Sequence, residues 1–281
     1  MSQLTNDLPY IDLLLKLLAA NDPDVATALG CHIHWGYWPD PSQAKNTATD
    51  YAQAAENLTR QVYGAAQVGD GMQILDVGCG IGGTIASLND QFSNLHLTGL
   101  NIDPRQLEKA RATVTAHESN MITFVEGDAC ALPFPDASFD RLLAVECIFH
   151  FGDRQRFFQE AVRVLKPGGK FALSDFLPVS WLIPGLQLSA ALPGVPSFYG
   201  NADCSFTAAD YSRLAQETGF RLTCSQDITH NTLPTYDFLL RLGVESASRD
   251  WVGGLQTWVM AGLAQAHWLN YFVLGFEKPG A

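Results

Sequence analysis

The chain has 281 residues, 47% of them hydrophobic, with 17 basic against 29 acidic side chains and a formal net charge of −12. That hydrophobic content excludes a disordered chain, and the length fits one α/β domain with additions around a sizeable core. So few basic residues exclude a nucleic-acid partner, whereas a cationic ligand is tolerated by the acidic field. The six cysteines, at positions 31, 79, 130, 147, 204 and 224, contain no Cys-x-x-Cys pair. They read as free thiols of a reducing cytoplasm, which is the expected compartment.

Residues 1 to about 60 read as helices around the aromatic knot CHIHWGYWPDP that starts at Cys31. The apolar run Ile11 to Ala20 carries Asp12 and Lys16. It is too short to span a membrane and lacks the basic start of a signal peptide, so an amphipathic helix is expected. His32 and His34 lie two apart with no third ligand nearby, and no metal site is expected. Strand one is Gln73 to Val77, followed by a glycine-dense turn and a helix from Thr84 to Phe92. Strand two is Leu95 to Ile102. Asp103 then caps a helix with Pro104 at its first position, Gln106 at its third and Leu107, Ala110 and Val114 as its apolar stripe. Strand three is Met121 to Asp128 and strand four Arg141 to Cys147. Asp153 caps the next helix, with Phe157, Ala161, Val162 and Leu165 inward; Pro167-Gly168-Gly169 ends it and Lys170 to Phe176 is strand five. Alternating strands and helices at this spacing predict a doubly wound, mostly parallel sheet.

The pattern breaks at Leu177, where an apolar, Pro- and Gly-rich stretch to Ala202 has no clear period. It sits where an insertion would cover the strand ends. Thr207 to Thr218 reads as a helix, Phe220 to Thr229 as strand six, Leu233 to His267 as helical, and Tyr271 to Lys278 as the seventh, closing strand. Trp251, Leu255, Trp258 and Val259 share one side of the last helix and are expected in the core.

The turn after strand one carries the chemistry. Gly78, Gly80 and Gly83 satisfy the dinucleotide spacing G-x-G-x-x-G, while Asp76, Gly78, Gly80 and Gly82 satisfy acid-x-G-x-G-x-G, the S-adenosylmethionine (SAM) version. Asp76 favours the second, because a carboxylate there suits an ammonium group and repels a pyrophosphate. With HWGYW, with Asp128 ending strand three ahead of ACALPFPDASFDRLLAVE, and with VLKPGGKFALSDF, the chain resembles the class I SAM-dependent methyltransferases. It is most similar to small-molecule enzymes such as the rebeccamycin sugar O-methyltransferase and the tocopherol C-methyltransferases.

The resemblance implies a seven-stranded Rossmann-like α/β fold with SAM as cofactor and S-adenosylhomocysteine as product. It implies an N-terminal helical lid over residues 1–60, a SAM-binding domain over 61–281 and a cap insertion at about 177–206. In it Asp76 would anchor the methionine part of SAM, and Gly78 and Gly80 would let the backbone approach it. Asn101 would take the ribose position, where the family has an acid. Ile102 would pack on the adenine face, Asp128 would accept from the adenine amino group, and the backbone of Ala129 would pair with a ring nitrogen. Trp35, Tyr37 and Trp38 would close over the sulfonium, since an aromatic face attracts a cation, or would pack as a lid helix on the sheet.

Methyl transfer to a hydroxyl needs an aligned nucleophile and a base. His150, after strand four, and Asp175, at the end of strand five, fall at the ligand-binding edge. His150 is expected to take the proton near its ordinary pKa, with Asp175 fixing its tautomer, so that activity rises near or above neutrality. The sugar O-methyltransferases carry two histidines at this turn; here Phe149 replaces the first, and a buried structural His–Asp pair stays open. Trp181, Leu182, Ile183, Leu186, Leu188, Phe198 and Tyr199 in the cap suggest a pocket for a small, largely apolar acceptor, with a homo-oligomer surface or a core as alternatives. O-methylation is the leading reading. A C- or N-methyltransferase, a non-catalytic SAM-binding protein and a nicotinamide oxidoreductase are its rivals.

Overall fold

The computed structural model describes residues 8–20, 22–190, 198–200, 202–245 and 251–280. Its helices are α1 (Pro9–Ala19), α2 (Pro23–Leu29), α3 (Ala48–Ala65), α4 (Gly83–Gln91), α5 (Pro104–Thr113), α6 (Arg154–Val164), α7 (Ile183–Ala190), α8 (Ala208–Thr218), α9 (Thr229–Thr232), α10 (Pro234–Glu245) and α11 (Trp251–Gln265). Its strands are β1 (Gln73–Val77), β2 (His96–Asn101), β3 (Met121–Glu126), β4 (Phe139–Val145), β5 (Leu165–Pro178), β6 (Arg221–Asp227) and β7 (Leu269–Glu277). They form one sheet in the order β3-β2-β1-β4-β5-β7-β6. β1 to β5 pair in parallel, and β7 enters antiparallel between β5 and β6. This is the doubly wound, mostly parallel sheet that the strand–helix alternation predicts.

Central strands read as continuous apolar runs because both of their faces are covered. Neighbouring residues part to opposite faces. Leu75, Leu142, Phe171 and Leu173 join Phe157 and Phe158 of α6 and Tyr211 of α8 on one side. Ile74, Leu143 and Ala172 join Leu58 and Val62 of α3 and Ile85 and Leu88 of α4 on the other. The edge strands β3 and β6 alternate in burial instead, as half-solvated strands do. Helix starts are capped as their sequences indicate. The Asp103 and Asp153 carboxylates accept from the backbone N–H of Arg105 and Arg156, and Thr207 and Asp210 form a reciprocal capping box.

Four expectations change. The boundary at residue 60 falls inside α3, which is one continuous helix whose Leu58 and Val62 are fully buried beside Ile74 of β1. Pro167-Gly168-Gly169 does not simply end a helix; it lies within β5 as an irregularity, where pairing jumps from Phe139↔Leu165 to Arg141↔Lys170. Gly168 takes φ +74 there, which only glycine adopts freely. On α11 the large side chains face solvent, with Leu255 52% and Trp258 66% exposed, rather than the core. The buried face is the small-residue series Gly253, Thr257, Ala261 and Ala264, because the helix lies too close to its neighbours for larger ones. A Cβ on Gly253 would stand 2.9 Å from the Phe198 ring. The side chain of Trp251 lies outside the described residues. In the cap, Trp181 and Leu188 are exposed, Trp181 packing on Trp268, while Phe198 and Tyr199 turn inward. Residues 191–197 and 201 of the expected insertion lie outside the described residues.

Candidate active site

The sheet order reverses between β1 and β4, so their carboxyl ends open a crevice, the usual ligand position in such a sheet. Asp76, near the end of β1, is 1% exposed. Its Oδ2 is buried without a hydrogen-bond partner, and burial pushes the carboxyl up to about 8. An orphaned acceptor at such a depth calls for a donor from outside the chain, and a ligand ammonium is one. The turn that follows is built to hug a ligand. Gly78 and Gly80 take φ +72 and +55, and a Cβ on Gly78 would come within 2.7 Å of the Cys147 side chain. The N–H groups of Gly78 and Cys79 both donate to the Leu100 carbonyl, tying the turn to the end of β2. This acid-and-glycine cradle fits SAM.

Along the same edge, Asn101 is buried and its Oδ1 accepts from the Asp103 N–H at 3.2 Å. Ile102 stands 37% exposed, an apolar side chain at a strand end. Gly127 N donates to Asn101 O, which brings Asp128 and buried Ala129 beside them. Asp128 Oδ1 accepts from Cys130 N at 2.8 Å. Asn101, Ile102, Asp128 and Ala129 therefore share the β2–β3 end, while Asp76, Gly78 and Gly80 share the β1 turn.

The N-terminal knot divides. Ile33 packs on the glycine turn, its Cδ1 3.2 Å from where a Gly80 Cβ would stand. Trp35 is buried against Phe176, Tyr199 and Tyr236, and its backbone N–H donates to Glu146 Oε2. Tyr37 is half-buried, its backbone held by Ala54 and Asn57 of α3. Trp38 packs with Tyr51 and Phe238 in a separate cluster between α3 and α10. His32 pairs with Glu56, and His34 meets Thr59 and the Trp35 carbonyl. No metal-binding cluster occurs among the described residues, and no described helix is long and apolar enough to cross a membrane.

His150 closes a single 3-10 turn, Ile148–His150, behind β4. Its Nε2 faces the hydroxyl of Tyr10 at 3.2 Å. Burial lowers its pKa to about 4, so the imidazole is free of its extra proton at neutral pH. This corrects the expected titration near neutrality. The pairing with Asp175 is also corrected. Asp175 is fully buried, and its Oδ2 accepts from Arg154 Nη1 and from the Tyr211 hydroxyl while Oδ1 accepts from Phe176 N. Its Oδ2 points towards α6 and α8 and its Oδ1 is held by β5 itself, so it orients Arg154 and not His150.

Sequence reasoning missed Tyr10, Glu146, Arg154 and Tyr271. Glu146 holds φ +48, unusual outside glycine, and accepts from Trp35 N and the Tyr271 hydroxyl while burial pushes its carboxyl up to about 8. An acid directly after the apolar run of β4 was the available signal. Arg154 had none, because an arginine on a helix's first turn normally reads as surface.

The methyltransferase-domain family model matches residues 75–173, the span from β1 to β5. Over 256 residues, 85% of its own length and 84% of the relative's, the chain is 32% identical to Methyltransferase GfsG of Streptomyces halstedii. The chain belongs to the class I SAM-dependent methyltransferases. This methyltransferase is also 32% identical to the 27-O-demethylrifamycin SV methyltransferase of Amycolatopsis mediterranei, over 74% of its own chain and 73% of that one. Among solved structures, the [4+2]-cyclase SpnF matches with a TM-score of 0.71 at 22% identity, covering 97% of this chain and 94% of that one. That likeness shows the fold alone, and a cyclase on the fold illustrates that function lives in the site. The cofactor of this methyltransferase is SAM, in keeping with the unpaired Asp76 at the glycine cradle.

Proposed function

We propose that the enzyme O-methylates a hydroxyl of a small, largely apolar metabolite, with His150 as the base. The observation that carries this reading is that His150 Nε2 lies at the β4 end, free of its extra proton at neutral pH and already facing a hydroxyl at 3.2 Å. A 27-O-demethylrifamycin methyltransferase among the relatives supports oxygen as the methylated atom.

Bound SAM supplies a methyl group on a positively charged sulfur, a ready electrophile with its own leaving group. Asp76 holds the ammonium of the methionine part, and Gly78 and Gly80 let the backbone close on it. Asn101 takes the ribose hydroxyls, Ile102 an adenine face, and Asp128 with the backbone of Ala129 the adenine edge. Trp35 and Tyr37 cover the site, excluding water where charge is lost on transfer. His150 takes the acceptor's proton at Nε2. Glu146 joins the covering segment, at Trp35 N, to β7 at Tyr271.

General-base catalysis contributes roughly 10²–10⁴-fold. His150→Ala is expected to lower turnover with labelled SAM and a hydroxyl acceptor by about that factor while leaving S-adenosylhomocysteine affinity nearly constant. Full turnover in a folded His150→Ala protein, or a product methylated at carbon or nitrogen, overturns the reading.

A further inference from the structure

Tyr10 meets His150 from the first turn of α1, 140 residues away in sequence. Its backbone N–H donates to the Phe198 carbonyl at 3.1 Å. Its ring lies nearly parallel to the imidazole, 6.0 Å between centroids and 20° between planes. Phe198 and Tyr199 flank the ring at 6.3 and 5.9 Å. Burial, with Glu146 and Cys147 close by, pushes the Tyr10 phenol well above its ordinary value, so it stays protonated. Cys147 in turn abuts Gly78. The chain's own phenol thus presents its hydroxyl to the base on the side of the cofactor turn, in an aromatic bed. The rest of α1 is held independently: Leu14 and Leu18 pack with Val25 and Ile81. Tyr10 can therefore leave the bed without the helix losing its anchor.

We propose that Tyr10 holds the place of the acceptor, and that the acceptor is a phenol whose ring replaces Tyr10 between His150, Phe198 and Tyr199. This rests on the reading of His150 as base. The aromatic bed favours a ring carrying a hydroxyl, because the phenol of Tyr10 is itself seated there with its hydroxyl at His150 Nε2. On transfer the O–H proton passes to His150 Nε2, an O–CH₃ bond forms, and the S–CH₃ bond breaks with its electron pair staying on sulfur.

The test opens the bed. In Tyr10→Ala saturated with S-adenosylhomocysteine, p-cresol and 4-methylcyclohexanol, similar in size but with only the first aromatic, are titrated against labelled histidine by NMR. The expected result is p-cresol binding that moves the His150 resonance at least about tenfold tighter than to wild type, and at least about tenfold tighter than 4-methylcyclohexanol. Tyr10→Phe, with its ring still in the bed, should exclude p-cresol as wild type does. If Tyr10→Ala no longer holds S-adenosylhomocysteine, Tyr10→Leu replaces it. A variant that holds S-adenosylhomocysteine but does not bind p-cresol at His150, or binds both alcohols alike, overturns the proposal. Full turnover in His150→Ala overturns the base reading instead and leaves the binding result standing, so the two failures are distinguishable.

Discussion

At Asp76 the absence of a partner and the depth of burial act together. With the carboxyl pushed up to about 8 against an ordinary value near 3.9, the ligand-free folded protein binds one more proton than the unfolded chain between those limits. That contribution to stability is present below about pH 4 and lost as pH rises towards about 8. Ammonium binding needs the carboxylate, so S-adenosylhomocysteine affinity should climb between pH 6 and 7.5, by up to about tenfold per unit, with proton release visible by calorimetry in buffers of different ionisation enthalpy. Above about pH 8 the ligand's own α-amino group loses its proton and the climb stops. Asp76→Asn should bind more weakly and with no pH slope; the same slope in that variant would remove Asp76 from the site. His150 works in the opposite sense. With its folded pKa lowered to about 4 from 6.5, its contribution erodes as pH falls from 6.5 towards 4, and activity should hold through neutrality and decline only at acid pH. A pH–rate midpoint near 6.5 that vanishes in His150→Ala would show the imidazole to be far more hydrated than its burial implies.

Between elements, the Arg154–Asp175–Tyr211 cluster ties α6, β5 and α8 together under the strand ends. Arg154 also donates to the Asp203 carbonyl and lies over the Phe206 ring at 4.4 Å, so it anchors the start of the segment leading into α8. Removing one member of a fully buried ion pair strands the other charge and costs about 3–5 kcal/mol. Asp175→Ala should lose that much stability in denaturant unfolding. Its surviving folded fraction should keep the His150 titration by NMR, because Asp175 faces away from the imidazole. A shifted His150 titration would restore the His–Asp pairing. On α11 the small buried face sets a second test. Ala261 and Ala264 are almost fully covered, so Ala261→Leu should overpack the contact and cost about 1–3 kcal/mol, while Trp258→Ala on the exposed face should stay within about 0.5 kcal/mol.

Across the whole molecule, residues 10–38 are stitched to distant parts of the chain by a few named contacts. Trp35 N reaches Glu146, Gly36 N reaches Thr235, Trp38 N reaches the Asn231 carbonyl, and α1 reaches Phe198. Ile81 of the glycine turn packs with α1 and α2, so the N-terminal helices and the turn share one apolar cluster. Ligand at the turn should therefore protect α1 and residues 31–38 from amide exchange, and at about 100 times its dissociation constant S-adenosylhomocysteine should add about 2.7 kcal/mol of stability. Protection confined to β1 and α4, with none at Trp35 to Trp38, would make the cover a fixed wall rather than a lid.

The glycine turn and its acid, the cofactor half of the proposed site, could be read from the sequence because they are local. Asp76, Gly78 and Gly80 span five residues at the end of one strand, and burial on both faces of a parallel sheet writes the strands as apolar runs. Asp103 and Asp153 marked their helix starts for the same reason, since a cap acts on backbone two or three residues away. Contacts between residues far apart in sequence decided the rest. Two strand ends can neighbour each other while their side chains point to different helices, which is why Asp175 found Arg154 and Tyr211 rather than His150. A helix's buried side is chosen by how closely it is approached, which is why glycine and alanine on α11 went inward and tryptophan outward. Only the folded chain could bring Tyr10 to His150, because no period or spacing relates a residue on the first helix to one behind the fourth strand.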